Sequence, residues 1–252
     1  MFGVMFAPHD KITLMGMNSY QQRHMEMEGA HQHTTGHHNH SVGTHEMSSA
    51  GIGDVKLDSL LTLWKRDNFT LLGNVGVSFP TGSITQQADD GSILPYPMQL
   101  GSGSFEARPG ITFSGAHGNW SYGGQLRGTF PLRTNSSEYR HGNTLTATTW
   151  GARRVNNWIS LSARLLFSHM GSITGNHPDL DLSRSPSHRP DFQGFNRLDI
   201  AISSNLIVPT GALAGKRLAI EFMVPVYQNL TGTQLKNTWK LVLGWQYAFR
   251  LL

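Results

Sequence analysis

Apolar and polar residues alternate along most of this chain. Over residues 238–249, Trp239, Leu241, Leu243, Trp245, Tyr247 and Phe249 share one face, while Lys240, Val242, Gly244, Gln246 and Ala248 share the other. Successive side chains of a strand point to opposite sides, so this segment predicts a strand with one continuously apolar face. That face is bounded by aromatics and spans about the 9–11 residues a tilted strand needs to cross a bilayer. The same period predicts strands over 2–7, 12–20, 53–64, 69–79, 103–114, 120–130, 143–155, 158–169, 196–208 and 217–227. The facing of the threonine-rich 143–155 stays open. Connections alternate between short turns and long polar loops, with long ones near 21–50, 80–102, 131–142 and 170–195.

Short turns at one end and long loops at the other are the habit of bacterial outer-membrane barrels. The expected fold is therefore all-β, a single antiparallel transmembrane β-barrel with about eleven strands present. A closed antiparallel barrel needs an even number, so a twelfth strand is expected ahead of Met1, together with a signal peptide. A soluble sandwich could also pack such apolar faces between two layers, but it has no need to end them in aromatics.

The opposite faces carry the charge. Asp54, Lys56, Asp58, Glu106, Arg108, Arg127, Arg164, Arg197, Asp199, Arg217, Glu221 and Lys240 would all point inward. In a barrel they line a hydrated lumen and set its selectivity; alternatively they pair with one another and plug it.

Composition narrows the classes further. Charged residues make up 14% of the chain and glycine contributes 28 residues. No run approaches the ~20 apolar residues of a membrane helix. Absence of cysteine removes disulfides and thiolate metal sites. The formal charge of +4 comes from scattered cations, which argues against nucleic acid as a partner. No nucleophile elbow, phosphate loop or cofactor fingerprint occurs, so no catalytic residue is expected. Ser168 beside His169 is the nearest approach to one, and both residue types are common here.

Several stretches carry a family resemblance: M-F-G-V-M-F-A-P-H-D-K-I-T-L-M at the start, G-I-G-D-V-K from Gly51, F-P-T-G-S from Phe79 and L-P-Y-P-M-Q-L-G-S-G from Leu94. W-G-A-R-R from Trp150, V-P-V-Y-Q from Val224 and G-W-Q-Y-A-F from Gly244 complete the set. Together they resemble bacterial outer-membrane transporters of the phenol-degradation (MetA-pathway) type. The resemblance implies an outer-membrane barrel that passes small molecules, and it brings no catalytic residues. The resemblance implies a signal peptide and a first strand, expected ahead of Met1, and Arg250-Leu251-Leu252 follow Phe249 where such barrels end on an aromatic residue.

One segment invites a second reading. Residues 24–47 hold seven of the 13 His and three of the 10 Met. Imidazole suits Cu(II), Ni(II) and Zn(II), and thioether selects Cu(I). His24, Met25, Met27, His31, His33, His37, His38, His40, His45 and Met47 are thus candidate ligands in an outer loop over 21–50. Met15 and Met17 are expected on the lumen face below them, in a hairpin that sets Met1 opposite Met17 and Gly3 opposite Met15. The alternative is a solvated His-rich tract that binds metal adventitiously.

From sequence, then, the chain is expected to be an outer-membrane channel or transporter for a small solute, an aromatic or hydrophobic compound or a metal ion. The alternative is an envelope protein that sequesters copper or a similar ion. No cofactor is required by either reading; the partners expected are outer-membrane lipid and the solute itself.

Overall fold

A computed structural model describes residues 1–30, 42–211 and 214–247. The chain opens with β1 (Phe2–His9) and β2 (Ile12–Asn18), followed by a projecting hairpin of β3 (Tyr20–Ala30) and β4 (Val42–Ile52). Next come β5 (Val55–Arg66), β6 (Phe69–Phe79), β7 (Glu106–Ala107), β8 (Gly110–His117) and β9 (Trp120–Pro131). The remainder is β10 (Tyr139–Arg140), β11 (Thr144–Arg154), β12 (Ile159–Met170), β13 (Thr174–Gly175), β14 (Phe195–Ile207), β15 (Arg217–Leu230) and β16 (Lys240–Gln246). Short 3-10 turns at Tyr96–Met98, Pro186–His188 and Pro190–Phe192 lie in the long connections.

The large sheet runs β1-β2-β5-β6-β7/β8-β9-β11-β12-β14-β15-β16, every neighbour antiparallel. Pro109 divides β7 from β8, which together act as one stave between β6 and β9. Eleven staves result among the described residues, as alternation predicts. β1 and β16 are the two edges and, the stave count being odd, they run in the same direction.

Among the described residues no dry core fills this wall. Its outer face presents Leu126, Ile111, Ile202, Leu218 and Leu243 as exposed side chains. Exposed Trp64, Trp120, Trp158 and Trp245 girdle the short-turn end, and Phe105, Phe130, Tyr227 and Trp239 the loop end. A soluble monomer rarely exposes a contiguous apolar patch beyond a few hundred Å². An apolar band between aromatic girdles is the surface a barrel turns to lipid, and it places the chain in the outer membrane.

Details of the wall depart from simple alternation. Two bulges shift the facing. Thr62 pairs with Leu72 and Trp64 with Leu71, so Leu63 is the extra residue and both Leu63 and Trp64 face lipid. Asp199 pairs with Pro225 but Leu198 with Tyr227. Pro225 has no N–H for the ladder, and Val226 is the extra residue, so both Val226 and Tyr227 are exposed on the wall. β1 and β2 pair Gly3 with Met17 and Met5 with Met15, two residues from the register expected. The last strand is shorter than 238–249: Trp239 precedes it, stacked on Phe222, and Phe249 lies outside the described residues. The segment 21–50, expected to be a loop, is largely the β3–β4 hairpin.

Candidate functional site

Asp54, at the foot of β5, staples a long connection across the loop end of the barrel. Its Oδ1 accepts from Gly82 N and its Oδ2 from Ser102 N, both at 2.8 Å. The two legs of residues 80–105 pass so close here that a Cβ on Gly82 would sit 2.7 Å from the Leu100 oxygen, while one on Gly101 would strike the Gly82 carbonyl. Three of the family-like stretches, those beginning at Gly51, Phe79 and Leu94, thus converge on one carboxylate.

The hairpin clamps the same connection from above. Arg23 donates to the Pro97 and Gln99 carbonyls and to Gln21 Oε1, and Ser49 Oγ donates to Met98 O at 2.7 Å. Met25, Leu94 and Met98 form a buried apolar cluster with Met47 against it. A second small core joins three connections: Tyr96, Tyr139, Ile173 and Leu180 are buried together, with the Tyr96 and Tyr139 rings edge to face at 4.9 Å. Tyr96 Oη accepts from His177 N at 3.0 Å, and Asn135 Nδ2 donates to Ser102 O at 3.1 Å. Burial pushes the Tyr139 phenol up to about 12. Burial lowers His141 and His188, with Arg23 and Arg184 respectively acting in the same direction.

Below this cap the lumen carries an ionic ladder. Asp58 is fully buried between Arg127, at 2.5 Å, and Arg108, at 3.4 Å. Its cross-strand neighbour is Gly76, where any Cβ would collide with the Asp58 carboxylate. Arg164 pairs with Glu221, and Arg197 Nε lies 2.9 Å from Asp199 Oδ2. Lys56, Ser78 and Glu106 form one row across β5, β6 and β7. Arg217 and Lys240 sit on β15 and β16 and are exposed. Trp150 joins this face, because it is the register partner of Arg164 on β12; that settles the facing of β11, with Leu145, Ala147 and Thr149 turned the other way.

Between cap and ladder lies a cavity of about 740 Å³. Arg23 and Met25 of the hairpin, Tyr96, Gln99 and Leu100 of the stapled connection, and His141 form one side. Met170, Ile173, Gln193 and Phe195 form another, Gln234 and Leu235 stand at the rim, and Asp54, Lys56 and Glu106 lie toward the lumen. Leu235 is 75% exposed, which marks the opening to solvent.

Among the described residues the candidate His ligands do not gather with acidic groups into a metal site. His31, His33, His37, His38 and His40 lie outside the described residues. Met27 and His45 are backbone partners across the hairpin. His24 is exposed, its Nε2 3.2 Å from Glu26 Oε1. Met25 and Met47 are register partners whose side chains join the Leu94 cluster, so packing accounts for them. Met15 and Met17 lie opposite Asp58 and Lys56 on the lumen face. Among the described residues no group of three His, Asp or Glu is placed to hold a metal ion.

Alternation missed the cap altogether. Its signal is apolar residues inside presumed loops: Ile93, Leu94, Tyr96 and Met98 within six positions of a Gly/Pro-rich stretch, then Tyr139, Ile173 and Leu180.

The family model described as "Putative MetA-pathway of phenol degradation" matches residues 17–194. Among solved structures, the crystal structure of an outer membrane channel from Pseudomonas putida F1 is similar. The two share 13% identity with a TM-score of 0.61, over 96% of this chain and 78% of that one. At that identity the likeness is one of fold. No curated protein sequence matches this chain.

Proposed function

The chain belongs to the phenol-degradation MetA-pathway family, and on that premise we propose that it is an outer-membrane channel passing small, partly apolar solutes. The observation that carries this reading is the cavity at the loop end. It opens to solvent beside Leu235, offers Tyr96, Leu100, Ile173 and Phe195 to an apolar body, and gives onto Lys56 and Glu106 of the lumen wall. A cap that served only to close the barrel would pack this space, since protein interiors leave few voids larger than water. The similar Pseudomonas protein is an outer membrane channel, and the family description names phenol. Aromatic compounds of low charge are therefore the favoured class of solute. Charged groups paired along the lumen keep it hydrated without presenting a single-sign barrier.

Reconstitution tests this reading. The protein in planar bilayers should give discrete conductance steps, and vesicles containing it should admit phenol faster than protein-free vesicles. Absence of both would overturn the channel.

A further inference from the structure

Most charged groups around the outer cavity are already engaged. Asp54 holds two backbone N–H groups, Arg23 holds two carbonyls and Gln21, and Arg108 and Arg127 share Asp58. Two are not. Lys56 and Glu106 both line the cavity and sit two strands apart with Ser78 between them, and no ion pair among the described residues joins either to a partner. Their nearest charged neighbours also include Asp54 on one side and Arg108 on the other.

This arrangement discriminates by charge. An anion drawn to Lys56 would meet Glu106 and Asp54; a cation drawn to Glu106 would meet Lys56 and Arg108. A neutral group that both donates and accepts engages the pair without repulsion, and hydrogen bonds to charged groups are stronger than those between neutral ones. The space above is large for a single ring and is faced by Tyr96, Ile173 and Phe195, in the range of pockets that enclose molecules of several rings.

We propose that the outer cavity is a binding site for neutral amphipathic ring compounds, with Lys56 donating to and Glu106 accepting from a hydroxyl-type head group while the ring body lies against the apolar wall. The proposal deepens the channel reading by naming a solute class and the two residues that select it.

Equilibrium dialysis of the full chain in detergent, against matched protein-free micelles, tests the site with four probes sharing one ring system: 2-naphthol, 2-methylnaphthalene, 2-naphthoate and 2-naphthylmethylammonium. At pH 7.5 the wild type should bind 2-naphthol about tenfold more tightly than each of the others, the worth of one net hydrogen bond. Lys56→Met and Glu106→Met should each bring 2-naphthol to within about twofold of 2-methylnaphthalene, with heat-modifiable gel mobility reporting that each variant has folded. Should a variant not fold, the wild-type ranking decides alone. Tightest binding of the naphthoate or of the ammonium probe, or equal binding of 2-naphthol and 2-methylnaphthalene, overturns the head-group pair. Conductance of the wild type is read separately. A conducting protein without the naphthol preference sinks this site and leaves the channel; a silent protein with the preference does the reverse.

Discussion

Gly76 does its work by having no side chain. The Asp58 carboxylate occupies the space its Cβ would take, and there it bridges Arg108 and Arg127. Gly76→Ala should push Asp58 out of that seat and leave two guanidinium groups facing each other. Breaking a buried pair by removing one partner costs about 3–5 kcal/mol, and the lower end is expected because Arg127 keeps partial contact with the lumen. Urea unfolding in lipid vesicles should show a loss of ~3 kcal/mol for Gly76→Ala and a similar loss for Asp58→Asn. The double variant should lose little more than either, since both remove the same interaction; additive losses would separate Gly76 from Asp58. Alternation alone places Asp58 on the inward face, because an acidic residue between Leu57 and lipid-facing neighbours has one comfortable side. The role of Gly76 is invisible at that level. A strand glycine says only that something approaches closely, and what approaches here comes from another strand.

Elements with one lipid-facing side announce themselves in the sequence, and elements without one do not. β9, with Trp120, Tyr122, Leu126 and Phe130 turned outward, is readable from its own twelve residues. Over 21–26 and 46–49, β3 and β4 show no lipid side: Gln21, Arg23, His24 and Glu26 interleave with Met25, which packs with Met47 on the Leu94 cluster instead. The cap core is equally hidden, since Tyr96, Tyr139, Ile173 and Leu180 come from three connections and meet only when the barrel has brought the loop ends together. This cap should be sensitive to acid. His188 is buried with Nδ1 2.7 Å from Ser185 Oγ; burial lowers its proton affinity first, Arg184 adds to the effect and Asp181 opposes it. His141 is lowered in the same sense, again by burial first. A histidine whose pKa is depressed in the closed form binds its proton better in the open form. Closure is therefore fully supported above the ordinary histidine value of about 6.5, and that support is lost as pH falls from there through the depressed values. Hydrogen-exchange protection factors over residues 170–195 should drop between pH 7.5 and pH 5 relative to those of the barrel strands. His188→Gln should reduce the drop, and unchanged wild-type protection across that range would show that the cap does not titrate.

On the scale of the whole molecule the barrel separates two solvents, and the same substitution should mean different things on its two faces. The paired lumen charges give one consequence. Arg164 with Glu221 and Arg197 with Asp199 are matched one to one, so changing both arginines to Gln leaves two carboxylates uncompensated. Reversal potentials in a salt gradient should then move toward cation preference. No change in selectivity would place the conducting path away from these groups. The lipid face gives the other, more stringent consequence. Leu126 on β9 and Leu241 on β16 are 45% and 51% exposed; Leu126 lies four residues from both Tyr122 and Phe130, and Leu241 lies two residues inside Trp239. An arginine there must either desolvate its guanidinium in hydrocarbon or deform the bilayer around it, at about 2–4 kcal/mol near the midplane. Ser162 on β12 faces the other way: its Oγ lies 2.6 Å from Ser203 Oγ across the strand pair. An arginine at 162 would lose that hydrogen bond, worth about 1 kcal/mol, yet reach a lumen face that already holds Arg164 and Glu221. Reversible unfolding in vesicles should therefore rank Leu126→Arg and Leu241→Arg as clearly more damaging than Ser162→Arg. In thin bilayers of short-chain lipid the two leucine variants should recover part of the loss, because the charge then lies closer to an interface, while the serine variant should be indifferent to thickness. Equal damage on both faces, or the same thickness response, would mean that the apolar band meets protein rather than lipid.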